Sequence, residues 1–300
     1  MNQRTIAKAF SFEGKGLHTG RYSHVSVLPA PADSGIIFRR TDLGGAAVEA
    51  LAENVSSTAR STTLTSGEAS VATVEHILSA LTGMGIDNVY IDIDNIEMPI
   101  LDGSASFYVD AIRRAGTAEQ PAPRRYVSLN APVEISNPET GSFVRLEPAE
   151  GARYGITVDF GSKVLGVQEA SFAPGDDYAT EIGPCRTFCF FHELEFLLGN
   201  NLIKGGDVDN AIVIVEHPVS EEQLSKVATL FGKSGLSVVG EGYLNNLTLH
   251  FPNECGRHKL LDLIGDLRLT GGFLNARITA FKPGHSINTQ AAIAVRKNMQ

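Results

Sequence analysis

Twice along this chain a series of strand-like segments gives way to a helix with a histidine in its first turn, a glycine stop and a returning strand. A chain with that pattern has few ways to hide its apolar surface. Each helix must lie on its own sheet, and two similar α+β layers can then face one another. In the first half, "YSHVSVLPA" (22–30) and "GIIFRRTD" (35–42) read as strands joined by a proline-containing turn. "STTLTS" (61–66) and "ASVAT" (69–73) read as a hairpin across Gly67. In "TVEHILSALTGMG", Thr73 is the expected N-cap, Val74, Ile77, Leu78 and Leu81 follow helical spacing, and Gly83 and Gly85 stop the helix. "NVYIDID" (88–94) is a strand and "ASFYVDAIRRAG" (105–116) a second short helix.

"TAEQPAPRR" (117–125) has two prolines, charges and no large apolar residue, and reads as a linker. It predicts an N-terminal α+β domain over 1–120 and a C-terminal α+β domain over 126–300. In the second, "RYVSLNAPVEISN", "SFVRLEPA", "YGITVDF", "NAIVIVE" (210–216) and "NARITAF" (275–281) read as strands. "CGRHKLLDLIGDL" (255–267) is its main helix, stopped by Gly271 and Gly272, and "AAIAVRKN" (291–298) a short helix.

At 300 residues, 43% hydrophobic and 20% charged, the chain can bury a sizeable core without disulfides or a structural metal. A metal site here would therefore be functional. The net charge of −9 and the lack of a basic run argue against nucleic acid as a partner. "MNQRTIAKAFSFEGKGLHTG" lacks an apolar core, and no stretch approaches the roughly 18 apolar residues of a membrane span. Neither a secretory signal nor an integral membrane segment is expected. Cys185, Cys189 and Cys255 cannot all pair with one another, which predicts reduced thiols and a cytoplasmic location.

The main helix of the second half carries the chemistry. Residues four apart on a helix lie ~40° apart, so His258, Asp262 and Asp266 form one stripe bordered by Lys259. Leu260, Leu263, Ile264 and Leu267 occupy the opposite side. His258 and Asp262 can share a metal ion, yet a catalytic zinc usually takes three protein ligands. His76 would complete the set. Glu75, beside it in the first turn of the other helix, could then act as a base on an activated water without being a ligand. If His285, in the Pro-Gly turn of "FKPGHSIN", faces Asp266, the carboxylate would hold the imidazole protonated as a general acid. Taken singly, each residue reads better as a capping or solvated polar group. Cys185, Cys189 and Cys255 with His258 also allow a structural Cys3His zinc on paper. His18 in "GKGLHTG" lies in a glycine-rich loop without the phosphate-loop pattern, and the residues assign it no role.

"GKGLHTG", "ATVEHILSALTGMGIDN", "PILDGSA", "CRTFCF", "GRHKLLDLIGDL" and "AFKPGHSIN" occur in one order along nearly the whole chain. Together they resemble the UDP-3-O-acyl-N-acetylglucosamine deacetylase family of lipid A biosynthesis. The resemblance implies two α+β domains with the active site between them and one catalytic Zn2+. It implies a nucleotide-sugar lipid as substrate, and a chain that in some bacteria is fused to a further domain. By motif position His76, His258 and Asp262 resemble the zinc ligands. Glu75 resembles the general base, His285 the general acid and Asp266 its partner. Thr187 resembles the hydroxyl that assists the oxyanion, and Lys259 a lysine that binds the nucleotide-sugar. Phe188 and the insert around 190–216 resemble an acyl-chain passage. Cys189 stands where relatives often carry glycine. Two other readings stay open at this stage. One is a non-heme iron enzyme with the same two-histidine, one-carboxylate ligands. The other is a non-catalytic nucleotide-sugar or lipid-binding module.

Overall fold

A computed structural model describes residues 1–194 and 204–299. Its helices are α1 (Glu75–Gly83), α2 (Ser106–Ala115), α3 (Tyr178–Glu181), α4 (Glu221–Leu230), α5 (Glu254–Leu267) and α6 (His285–Met299). The first half holds a five-stranded sheet, in the order Phe10–Lys15, Tyr22–Pro29, Val89–Ile93, Ile36–Arg40, Ala46–Glu49. The second half holds Val133–Asn137, Ser142–Pro148, Phe273–Phe281, Arg153–Asp159 and Val167–Phe172 in that order, with Tyr126–Ser128 added along Phe273–Phe281.

The two sheets share one plan. Each places two hairpins on either side of a central strand that arrives last in the chain, after the helix. That strand runs antiparallel to its neighbour from the first hairpin and parallel to its neighbour from the second. The repeated pattern in the sequence is thus a repeated topology, and the architecture is two-domain α+β. The segments 22–30 and 35–42 do form strands, but they are not partners. Val89–Ile93 lies between them, because its alternating apolar residues Val89, Ile91 and Ile93 are fully buried and need a place at the sheet centre.

Three local expectations are corrected. Thr117–Pro123 is an extended strand paired antiparallel with Asn2–Ile6, not a structureless linker. Proline is tolerated there because the sheet has only two strands and each is an edge. Thr73 does not cap α1. It sits at φ 59, its hydroxyl donates to Glu97, and Val74 precedes the helix. The last helix begins at His285 rather than 291, so that histidine starts a helix instead of lying in a turn. Every sheet is built from strands on one side of residues 124–125.

One continuous apolar core runs through both halves, from Ile77, Leu78 and Leu81 of α1 to Leu260, Leu263, Ile264 and Leu267 of α5. Nearly every residue of α5 is buried. It packs on the strands Arg153–Asp159 and Val167–Phe172 and on α1. The two helices meet backbone to backbone at Gly265. A Cβ there would stand 2.0 Å from the carbonyl oxygen of Glu75. Gly265 thus costs α5 roughly 1 kcal/mol of helix propensity in return for a backbone-to-backbone crossing. Gly265→Ala would recover that term but force two main chains apart. Overpacking of this kind costs about 1–3 kcal/mol, more where the obstacle is backbone. Thermal unfolding of Gly265→Ala is therefore expected to show a lowered midpoint; an unchanged or raised one would refute so close a crossing.

Candidate active site

Three residues meet where α1 and α5 cross. His76 is the second residue of α1, and His258 and Asp262 lie one turn apart on α5. Their ligating atoms all fall within 4.8 Å of one another. Asp262 Oδ1 lies 3.7 Å from His76 Nε2 and 3.5 Å from His258 Nε2. The two imidazole rings stand perpendicular, with centroids 5.1 Å apart. Nδ1 of His258 is 3.0 Å from the Cys185 carbonyl. A proton on Nδ1 makes that contact a hydrogen bond and leaves the Nε2 lone pair facing the crossing.

Electrostatics favour the ligating forms. Burial, then the neighbouring His258, pushes the pKa of His76 down to about 3. Burial also lowers that of His258, against the pull of Asp262. Burial opposes the charge on Asp262, but Lys259, His258, His285 and His76 together outweigh it. They hold the carboxyl well below the usual carboxylate range. Lys259 donates to Asp262 Oδ2 at 2.8 Å. The other oxygen, Oδ1, is buried without a hydrogen-bond partner. An orphaned carboxylate oxygen is expensive, about 1–3 kcal/mol or more. This one points between two neutral imidazoles. Two histidines and one carboxylate with their lone pairs converging suit a divalent transition metal with an open position. Among the described residues this is the one such group, and all three cysteines are free thiols. A Cys3His centre is not formed.

Glu75 and His285 flank this set. Glu75, first in α1, is buried, and burial pushes its pKa up to about 7. Its Oε1 lies 3.8 Å from His285 Nε2, and its Oε2 accepts the backbone N–H of Thr62 at 3.1 Å. His285 meets Asp266 through Nδ1 at 3.0 Å. Burial alone would lower the pKa of His285. Asp266 first, then Glu75 and Asp262, raise it to about 9. These carboxylates thus favour the protonated form of His285, whose Nε2 lies toward Glu75 Oε1.

Thr187 and Lys259 line the same small cavity as these groups, beside Leu17, His18, Arg60 and Ile100. The Thr187 hydroxyl has no hydrogen-bond partner among the described residues. Its backbone is fixed by Gly103 of "PILDGSA", whose carbonyl accepts the Thr187 N–H at 2.9 Å. A larger cavity of about 300 Å³ shares Leu17, His18, Arg60, Thr187 and Lys259 with the small one and is lined also by Phe188, Cys189, Leu194, Val208, Val213 and Phe231. Phe188 stacks edge-on to the His258 ring at 6.5 Å, with Lys259 5.5 Å above its face. The middle of the expected insert, 195–203, lies outside the described residues.

No local pattern places His18, Arg60 or Thr62 here. His18 is brought in by its loop, whose His18 and Thr19 N–H groups both donate to the fully buried Glu97. The only signal was the glycines of "GKGLHTG". Gly16 and Gly20 pass so close to Glu97 and Lys204 that a side chain would collide. Thr62 carried no signal in a polar hairpin segment.

The chain matches the model of the LpxC family, UDP-3-O-acyl N-acetylglycosamine deacetylase, over residues 3–231 and 232–297. A bifunctional enzyme LpxC/FabZ from Porphyromonas gingivalis is 44% identical over 99% of this chain and 65% of its own length. UDP-3-O-acyl-N-acetylglucosamine deacetylases from Anaeromyxobacter sp. and Trichormus variabilis are 42% and 39% identical. They align over 96% and 97% of this chain, and over 86% and 97% of their own lengths. The chain thus spans about two thirds of the length of the bifunctional relatives and most of the length of those named for the deacetylase alone. No helix among the described residues is long and apolar enough to cross a membrane. On the full-length family match and these identities, the chain belongs to the LpxC family of UDP-3-O-acyl N-acetylglycosamine deacetylases.

Proposed function

We propose that the chain is a zinc-dependent amide hydrolase that removes the N-acetyl group of UDP-3-O-acyl-N-acetylglucosamine, releasing acetate and the free amine, in the cytoplasm. The observation that carries this reading is the convergence of His76, His258 and Asp262 with the Glu75 carboxyl and the His285 imidazole beside them. Zinc held by those three residues would lower the pKa of water and polarise the acetamide carbonyl. Glu75 takes the proton of the attacking water through Oε1, the oxygen that Thr62 leaves free. Thr187 donates its hydroxyl to the developing oxyanion. His285 delivers the Nε2 proton to the departing sugar amine, and Asp266 holds its ring in place. Lys259 offers a cation to the nucleotide-sugar portion. Phe188 and the apolar wall beyond it receive the acyl chain, with the insert around 190–216 closing the passage.

An iron-loaded site would use the same ligands. The paired base and acid favour hydrolysis, because an oxygenase has no comparable need for them. Residues 1–120 and 126–300 are proposed as the two domains, the first extended to 123 so that it keeps the whole strand Thr117–Pro123.

The assignment of Glu75 is tested by Glu75→Gln. The variant should retain its metal content yet lose about 10²–10⁴-fold in turnover, the usual worth of a general base. Near-normal acetate release from metal-replete Glu75→Gln would refute the role. His285→Ala should lower kcat by a similar factor with little change in KM. A selective rise in KM would make His285 a binding residue instead.

The pH profile should be a bell. Glu75 works deprotonated, so activity rises with pH through its titration. Burial places that titration near 7, and a bound cation moves it lower. His285 works protonated, so activity falls as pH rises through its titration, near 9 or below with the cation present. In His285→Ala the alkaline limb should vanish; a limb that persists unchanged would assign it to another group.

A further inference from the structure

Thr62 is fully buried and sits where no motif drew attention, on the loop that leads into the strand Thr63–Ser66. Three contacts leave this one residue. Its carbonyl accepts the N–H of Val74, just before α1, at 3.4 Å. Its own N–H donates to Glu75 Oε2 at 3.1 Å. Its hydroxyl donates to Asp266 Oδ1 at 2.6 Å. Asp266 spends its other oxygen on His285 Nδ1 at 3.0 Å and Asn288 Nδ2 at 2.9 Å. Thr62 is therefore bonded to both carboxylates that govern proton transfer, one through its backbone and one through its side chain.

Resting on the reading of Glu75 as base and His285 as acid, we propose that Thr62 is a positioning residue for both. The N–H decides which Glu75 oxygen is the base. With Oε2 held, the oxygen left to the cavity is Oε1, the one 3.8 Å from His285 Nε2. The hydroxyl fixes the plane of Asp266. Among the described residues it is the sole donor to Oδ1. Without it the carboxylate is free to rotate about its remaining bonds to His285 and Asn288, and the His285 ring turns with it. A short hydrogen bond to an ionised acceptor is the strong kind, so the constraint is stiff. The span between base and acid is thus set by a loop of the first half that reaches across to α5.

Thr62→Val removes the hydroxyl but keeps the shape and the backbone N–H. Its effect should therefore run only through Asp266 and His285. Removing a group that orients a site residue typically costs 10–100-fold; kcat of Thr62→Val is expected to fall by about that factor. KM should stay within about threefold, and Thr62→Ser should restore most of the loss. In a His285→Ala background the same substitution should add less than about threefold, because the group it positions is gone. The imidazole N–H proton resonance of His285 should shift in Thr62→Val and return in Thr62→Ser.

An unchanged kcat in Thr62→Val, an undiminished further loss in the His285→Ala background, or an unmoved His285 resonance would each overturn the proposal. If Thr62→Val does not fold, Thr62→Ala against Thr62→Ser isolates the same hydroxyl. Absence of acetate release from the metal-replete wild-type protein would refute the deacetylase reading instead. The resonance would still decide whether Thr62 orients His285.

Discussion

Everything at the site depends on how closely two helices cross. Gly265 lets the backbone of α5 touch the carbonyl of Glu75 on α1. That contact brings His76 within 3.7 Å of Asp262, although the two residues are far apart in sequence and in different halves of the molecule. An ordinary helix pair packs side chain to side chain with axes 8–10 Å apart. At such a separation His76 and Asp262 would stand farther apart than they do here. The glycine sets the scale of the whole cluster.

The crossing also creates an electrostatic problem that the chain solves in parts. Glu75, Asp262, Asp266, His285 and Lys259 lie close together and mostly out of water. Burying isolated charges is prohibitive, so each must be paired or neutral. Asp262 is matched by Lys259. Asp266 is matched by His285 and two neutral donors. The histidines on the opposite side are kept uncharged. What is left over is one oxygen of Asp262 and a Glu75 carboxyl poised near neutrality. These are the groups a cation and a proton-transfer cycle would use, and the surplus is confined to them.

The parts of the site legible in the sequence were those carried by helical spacing. His258, Asp262 and Asp266 stand four residues apart, and that alone puts them on one stripe. Glu75 and His76 were legible because a first-turn carboxylate next to a histidine is a short local pattern. The pairing of Asp266 with His285 could be posed only as a condition, since no local rule places a turn against a helix. Thr62, Arg60 and His18 were illegible for the same reason in stronger form. Their approach comes from loops held by contacts such as Glu97 to the His18 loop. In the fold, hydrophobic alternation marked the strands but not their partners. Residues 22–29 and 36–40 are neighbours in sequence, yet they are separated by a strand that arrives some fifty residues later. α1 lies within that long connection, so the sheet order and the helix crossing involve the same stretch of chain.

The shared topology of the halves explains why a site should form at this crossing. Two copies of one hairpin–hairpin–helix–strand plan pack helix to helix, and each presents its own polar residues to the same contact. A symmetric pair would offer the same groups twice. Here the contributions differ: α1 supplies Glu75 and His76, and α5 supplies His258, Asp262 and Asp266. Only the second half continues directly into a further helix whose first residue, His285, returns to the crossing. The asymmetry separates the tendencies of two proton-bearing groups. Glu75, buried beside carboxylates, is driven toward its neutral form, and His285, facing carboxylates, toward its charged one. Glu75 then gives up its proton near neutral pH while His285 keeps its own to about 9, a separation that a duplicated pair of identical groups could not arrange.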